Sequence, residues 1–246
     1  MEKRPLIGSF LLVSLVGCQS VITEENTYQV STKSHSYLDS KLEKLAELSE
    51  QYPRRHDLQY QIAGIHFLKA DFNESAVHLK KAIVEKPDVS QYHYHLGRVY
   101  LTMGELERAE GSFQMAAQLD HRNRFSGPRA AYAYVLALEK KVPLAIAEFE
   151  KCLAIEPDNV LFYYFLGALN DMRGGDPQAV RYFREYLERG GVKYRRKAVD
   201  YLESLGVEVS EELRRAPVNR PVEKLPEGIE ADAAREAPTN TPPRED

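Results

Sequence analysis

The sequence predicts an all-α solenoid of about four helix pairs, with a flanking helix at each end. Residue types recur at intervals of about 34 through the middle of the chain. Within each interval the apolar residues follow the spacing of amphipathic helices, without the alternation typical of strands. The composition agrees, because only 14 Gly and 13 Pro occur among 246 residues while Ala, Leu, Glu and Lys are abundant.

Charge and cysteine content exclude several classes of function. The chain carries 33 Lys and Arg against 37 Asp and Glu, a net charge of -4, which disfavours a dedicated nucleic-acid-binding protein. Two cysteines are too few for a disulfide framework or a cysteine-ligated zinc site. The chain also lacks H-E-x-x-H, G-x-S-x-G and phosphate-binding glycine motifs. We therefore predict no enzyme, no metal site and no cofactor, and we expect Cys152 to be an inert core thiol.

The N-terminus reads as an export signal. A short charged segment precedes the apolar run 6–16, whose helical length of about 16 Å is half that of a bilayer core. The run ends in Leu15-Val16-Gly17-Cys18, which resembles a bacterial lipobox. The resemblance implies that residues 1–17 are a cleaved lipoprotein signal peptide and that Cys18 receives lipid, including palmitate. Gln19 in place of aspartate implies sorting to the outer membrane, facing the periplasm.

A polar segment separates this anchor from the first helical pattern. Residues 18–36 comprise the lipidated cysteine and a flexible tether, which is rich in Ser, Thr, Glu and Gln. Leucines at helical spacing then predict a flanking helix over residues 37–51, which ends before Pro53.

Three sets of residues define the repeat. Prolines 53, 87 and 157 mark its junctions, with His121 between them. Two further sets of small residues recur at intervals of 33, 36 and 34: Gly64, Gly97, Ala133 and Gly167 in the first, and Ala76, Ala109, Ala145 and Ala179 in the second. We expect the small residues to let paired helices approach closely while aromatic residues fill the gaps.

Each interval predicts two helices joined by a short turn. In the second interval, Leu96, Gly97 and Tyr100 share a face of the first helix, and Ala109 and Phe113 share a face of the second. These residues resemble the tetratricopeptide repeat (TPR), and the likeness covers about residues 57–190. The resemblance implies a right-handed superhelix in which the first helices of successive repeats line a concave groove.

The C-terminal part closes the predicted domain. A terminal helix over residues 193–204 carries a basic patch at residues 193–197, either a solvated face or a contact for an acidic partner or anionic lipid. Gly206 is a plausible helix end, so the TPR solenoid domain is predicted to span residues 37–206. Residues 207–246 form a Pro-rich acidic tail that we expect to be disordered, with room for a short helix at Ser210–Arg215.

Function is expected on the concave groove, where the TPR resemblance implies that a peptide or helix of another protein binds. The positions carried over from the family are Gln61, Ile65, Lys69, Tyr94, Arg98, Tyr134, Leu161, Tyr164 and Asp171. Tyrosines at such sites give large contact area at low rotamer cost, although they also suit packing within the solenoid.

The combined features predict an outer-membrane-anchored periplasmic TPR lipoprotein that acts as a protein-protein interaction scaffold or adaptor. Lipoproteins of similar layout include TPR pilotins and pilus-assembly factors, which implies a role in assembling a pilus or secretion apparatus. Others of this layout dock peptidoglycan hydrolases, and the sequence does not separate the two roles. An unrecognised enzyme is the competing class.

Overall fold

The computed structural model describes residues 32–120, 126–174 and 176–215, and these residues form helices, turns and short connections. The predicted signal peptide, Cys18 and most of the tether lie outside them, as do residues 216–246 of the predicted tail. The helices are α1 (Thr32–Gln51), α2 (His56–Leu68), α3 (Phe72–Glu85), α4 (Ser90–Thr102), α5 (Leu106–Leu119), α6 (Gly127–Leu138), α7 (Val142–Ile155), α8 (Val160–Met172), α9 (Asp176–Glu188), α10 (Arg195–Ser204) and α11 (Glu211–Arg214).

Four helical hairpins form the body of the molecule. They are α2–α3, α4–α5, α6–α7 and α8–α9, hereafter units 1 to 4. Helices contact mainly their neighbours in sequence, both within each hairpin and between successive hairpins. This is the arrangement of a solenoid, in which each repeat buries its apolar face against the adjacent repeats. The predicted all-α solenoid of four helix pairs is confirmed.

Close contact between the two helices of a hairpin depends on small residues. A Cβ added to Gly97 would lie 2.7 Å from the ring of Phe113, and one added to Gly167 would lie 2.9 Å from the ring of Phe183. Since carbon atoms pack at about 3.5–4.0 Å, only glycine fits under these rings. In unit 3 the corresponding aromatic residue, Phe149, is 1% exposed.

The turn between the helices of each hairpin contains one residue with positive φ. These residues are Ala70, Gly104, Lys140 and Gly174, with φ between 62° and 78°. Glycine adopts this conformation without a steric penalty, whereas Ala70 and Lys140 do so at some cost.

The register of unit 1 differs by one residue from the prediction. Counting from the turns aligns Ala70 with Gly104 and therefore Ala63 with Gly97. Ala63 is 1% exposed, while a Cβ added to Gly64 would meet nothing within 4 Å. Ser75 likewise takes the place that was assigned to Ala76, and its hydroxyl donates to the carbonyl of Ala63 at 2.9 Å. With this correction, equivalent residues of units 1 and 2 stand one full repeat length apart.

Helix α1 occupies the position of a second helix that precedes unit 1. Its Leu45 stands one repeat length before Leu79 and packs with Leu58, Ile62 and Ile65 of α2. The helix begins at Thr32, five residues before the predicted start at Tyr37, so the predicted tether is shorter than residues 18–36. No helix in the described part of the chain is long and apolar enough to cross a bilayer.

The C-terminal end is closed by α10 and a segment that we call the C-terminal strap, residues 207–215. Helix α10 follows unit 4 as the first helix of a further unit would. Its Tyr201 is 3% exposed and stands one repeat length after Gly167, where the four units have glycine or alanine. Tyr186 of α9 is also fully buried and accepts a hydrogen bond at 2.9 Å from the backbone N–H of Tyr194.

The C-terminal strap packs on the domain, so the prediction that the disordered tail begins at Val207 is wrong. Val209 is 4% exposed and packs, with Val207 and Leu213, on the core beside α10. The short helix expected near Ser210–Arg215 is present as α11.

Arg195 is buried, although it was predicted to lie in the exposed basic patch. It is 6% exposed, and its guanidinium donates to the carbonyls of Leu213 at 2.6 Å and Leu187 at 3.3 Å. The side chain therefore ties the strap to the end of α9 because it satisfies backbone acceptors at both places.

Candidate protein-interaction face

The predicted groove residues divide into a buried set and a half-buried set. Five are at most 9% exposed and belong to the core: Ile65, Tyr94, Tyr134, Leu161 and Tyr164. The other four are half-buried: Gln61, Lys69, Arg98 and Asp171. The prediction that all nine line an open groove is therefore wrong for the first set.

The two tyrosines expected to anchor a partner are packing residues. Tyr94 is 5% exposed, and its ring centroid lies 5.7 Å from that of Phe113. Tyr164 is 2% exposed and stacks on Tyr194, with ring centroids 4.3 Å apart and an interplanar angle of 17°. A tyrosine at this position fills the space between successive units, so its truncation would create a cavity inside the solenoid.

The groove residues predicted in unit 1 were assigned to the wrong positions because the register of this unit is shifted by one residue. Ile65 packs in the cluster between α1 and α2. Lys69 forms an ion pair with Asp39 of α1, with Nζ and Oδ1 2.6 Å apart. The corrected equivalent of Tyr94 is Tyr60, which is half-buried.

The corrected register defines a different accessible surface on the C-terminal halves of the first helices. We call this surface the first-helix face. It comprises two helical positions, four and five residues after the small residue of each first helix, and Arg98, which lies one turn before Thr102. The half-buried or exposed residues at these places are Phe67, Leu68, Arg98, Thr102, Leu138, Asp171 and Met172. Leu68 is the most exposed large apolar residue of this face, with 58% of its surface accessible.

A contact between units 1 and 2 shows that their parts of the face adjoin each other. The guanidinium carbon of Arg98 in unit 2 lies 5.2 Å from the ring centroid of Phe67 in unit 1, within cation–π distance. Phe67 in turn packs edge-on against Phe72, with ring centroids 5.5 Å apart. The face therefore presents apolar side chains on a packed base, with a cation and the carboxylate of Asp171 farther along, which suits another protein as partner.

Five of the seven histidines lie in units 1 and 2. His66 and His78 stack at 5.5 Å, and the Nδ1 of His78 lies 2.7 Å from Oε1 of Gln59. Burial, with Lys81 and His66 nearby, lowers the pKa of His78 to about 4. The described residues contain no group of three or more side chains placed to hold a metal ion.

His95 is enclosed by aromatic rings. Its ring centroid lies 5.4 Å from that of Tyr60 and 5.5 Å from that of Tyr94. Burial, with Arg98 nearby, lowers its pKa to about 3, so the imidazole is neutral in the folded protein. No hydrogen-bond partner within the described chain reaches its buried Nε2.

Cys152 occupies a fully buried site in α7. Burial raises the pKa of its thiol to about 12, and the sulfur lies 3.8 Å from the carbonyl oxygen of Ser126. A thiol with this environment is a poor nucleophile, in agreement with an inert core residue.

This geometry is that of a TPR-type solenoid, and comparison with solved structures supports the class. MamA superimposes with a TM-score of 0.59 at 20% identity over 64% of this chain and 91% of MamA. YrrB, described as a TPR protein with an unusual peptide-binding site, gives a TM-score of 0.59 at 16% identity over 71% of this chain and 87% of YrrB. At such identities the likeness concerns the fold.

Sequence comparison gives a shorter match. Superkiller complex protein 3 of Mus musculus is 31% identical over 81 residues, which are 31% of this chain. The match spans 5% of the length of the mouse protein. No family model matches the chain.

Gly64 is the reason why the sequence did not predict Phe67 and Leu68 as part of the first-helix face. This exposed glycine suggested the wrong register for unit 1, so Phe67 and Leu68 were not assigned to the face. A signal was present, because Ala70-Asp71-Phe72 aligns with Gly104-Glu105-Leu106 one repeat length later. In units 1 and 2 the acidic and apolar residues after the turn identify the start of the second helix better than a glycine inside the first helix does.

Proposed function

We propose that this protein is a lipid-anchored scaffold of the bacterial outer membrane that faces the periplasm and binds another protein through its first-helix face. The observation that carries the interaction role is the row of accessible side chains on the four first helices, apolar in units 1, 3 and 4, with Arg98 of unit 2 lying over Phe67. A solenoid offers such an extended surface without a deep catalytic cavity. The lipobox ending at Cys18 supports the location.

The first test concerns the anchor. Each buried CH₂ of an acyl chain contributes about 0.8 kcal/mol to membrane binding, so multiple chains on Cys18 would hold the protein on the bilayer. Cys18→Ser should abolish incorporation of labelled palmitate and move the protein out of the membrane fraction. Cys152→Ser is the matched control, because the second cysteine is buried and should not affect labelling. Unchanged membrane fractionation of Cys18→Ser, with no palmitate in the wild type, would refute the anchor.

The second test concerns the face. Truncating a central contact residue typically weakens a complex by about 2 kcal/mol, or roughly thirtyfold. Leu68→Ala combined with Arg98→Ala should therefore weaken capture of the envelope partner while circular dichroism remains unchanged. Val84→Ala is the matched control, because Val84 is apolar and 78% exposed but lies on α3, away from the face. Equal losses of capture in the two variants would refute the assignment.

The identity of the captured partner assigns the pathway. We propose assembly of a pilus or secretion apparatus, which predicts secretin or pilus components among the cross-linked proteins. Recovery of peptidoglycan hydrolases instead would assign the chain as their adaptor.

A further inference from the structure

The exposed face of α1 is unlike the corresponding face of the other second helices. Tyr37, Lys41, Lys44 and Leu48 follow one another at spacings of four, three and four residues, so they occupy an arc of about 60° around the helix axis. We call this set the α1 stripe. Tyr37 is 66% exposed and Leu48 is 42% exposed, and Tyr52, which follows the helix, is 54% exposed. Both lysines are exposed as well.

In the four hairpins, the equivalent face packs against the first helix of the same unit. The register places Lys41 one repeat length before Ser75, at the position where the hairpins have Ser75, Ala109, Ala145 and Ala179. Those four residues are at most 1% exposed. A lysine at this position prevents the close approach of a further helix, because its long side chain and charge would lie in the contact. The α1 stripe is therefore not built to receive another repeat.

Charges on α1 are segregated around its axis. The acidic residues Asp39, Glu43, Glu47 and Glu50 lie on an arc whose centre is turned by about 130° from the centre of the α1 stripe. The leucines that pack on α2 lie on the other side of the stripe, with their centre turned by about 100° from it. A planar surface laid against the stripe thus meets lysines, tyrosine and leucine, while the carboxylates point sideways or away.

We propose that the α1 stripe lies on the surface of an anionic phospholipid bilayer and sets the orientation of the solenoid on it. Lysines attract anionic headgroups, and tyrosine and leucine suit the boundary between headgroups and acyl chains. The inference rests on the proposed anchor. Thirteen residues separate Cys18 from Thr32, a span of at most about 50 Å, so an acylated Cys18 would hold the stripe close to the bilayer. This proximity compensates for the weak attraction of two lysines.

Paired labels on opposite faces of α1 test the proposal in the full acylated chain. Leu48→Cys places a nitroxide on the stripe, and Ala46→Cys places the matched control on an exposed position about 160° away. Cys152 is buried and stays unlabelled. The protein is reconstituted into vesicles of phosphatidylcholine with phosphatidylglycerol, or of phosphatidylcholine alone, and accessibility to a water-soluble paramagnetic reagent is measured.

The expected result is protection of position 48, but not of position 46, on the vesicles that contain phosphatidylglycerol. Replacing Lys41 and Lys44 by glutamine should lower the equilibrium constant for the surface-bound state roughly thirtyfold and so reduce this protection. Equal accessibility at both positions on anionic vesicles would overturn the proposal. Protection that rises with protein density and is independent of lipid charge would also overturn it, because a second copy would then cover the stripe.

The experiment distinguishes an error in the proposed anchor from an error in the proposed role of the α1 stripe. A chain without lipid on Cys18 would not float with vesicles of phosphatidylcholine alone, and mass spectrometry would show an unmodified cysteine. The stripe is then scored by co-sedimentation of the soluble chain with anionic vesicles at millimolar lipid, which replaces the effective concentration that the tether would have supplied. Binding that depends on Lys41 and Lys44 supports the proposal, and absence of binding at this lipid concentration overturns it.

Discussion

Acidification should destabilise the protein through His95. The ring is enclosed between Tyr60 and Tyr94, and Arg98 adds a positive charge nearby. Both the burial and this charge disfavour the imidazolium, so the pKa in the folded state falls to about 3. In the unfolded chain a histidine has a pKa of about 6.5. Below pH 6.5 the unfolded chain therefore binds a proton that the folded protein excludes, and the stability decreases as the pH falls.

The size of the effect follows from the difference between the two pKa values. Each pH unit below 6.5 costs about 1.4 kcal/mol until the folded-state pKa is reached, so His95 alone should cost about 2 kcal/mol at pH 5. The lowered pKa of His78 acts in the same direction. At pH 7 and above neither histidine contributes, because both states are neutral.

Replacement of the ring isolates the contribution of His95. Unit 4 has Phe165 at the equivalent position, so His95→Phe keeps an aromatic ring that does not titrate. Urea unfolding followed by circular dichroism at pH 7 and pH 5 should show a loss of stability that is smaller in His95→Phe than in the wild type by about 2 kcal/mol. Equal losses in the wild type and His95→Phe would refute the buried neutral imidazole.

Two further pairs of variants test the packing and the boundary of the domain. Gly97→Ala should cost about 1–3 kcal/mol because its Cβ meets Phe113, whereas Gly64→Ala should stabilise by about 0.5–1 kcal/mol; equal thermal shifts would contradict the register. Truncation after Gly206 should cost about 3 kcal/mol in urea unfolding, since it exposes the site of Val209 and removes an acceptor of Arg195, while truncation after Arg215 should be neutral. Equal stabilities of the two truncated chains would contradict the strap.

The fold was predictable because its signals are repeated. Small residues under aromatic rings recur in successive units, and each occurrence supports the others, so the class survives an error in any single unit. The register of unit 1 was lost because Gly64 imitates Gly97 in residue type while Ala63 fulfils its role. The strap was missed because three apolar residues, Val207, Val209 and Leu213, stand among charged ones and gain their partners only from α10.

The accessible face was harder to predict than the fold. Tyr94 and Tyr164 have the residue type of an interface anchor, yet spacing alone does not distinguish a ring that covers a neighbouring unit from one that faces solvent. The stacking of Tyr164 on Tyr194 depends on how unit 4 meets the segment before α10. Arg195 shows the same limit, because a guanidinium within a basic run was assigned to the surface although backbone carbonyls distant in sequence bind it.

The two tyrosines at the C-terminal end fix the number of repeats in the array. A fifth unit that used α10 as its first helix would require a small residue in place of Tyr201, so that a second helix could pack, and in place of Tyr186, where the first three units have Ala82, Ala116 and Cys152. An extension of this kind that kept both tyrosines would leave two bulky rings inside the new interfaces. Lengthening of this protein, whether in evolution or by design, has to proceed by insertion between internal units, where the junction residues are already small.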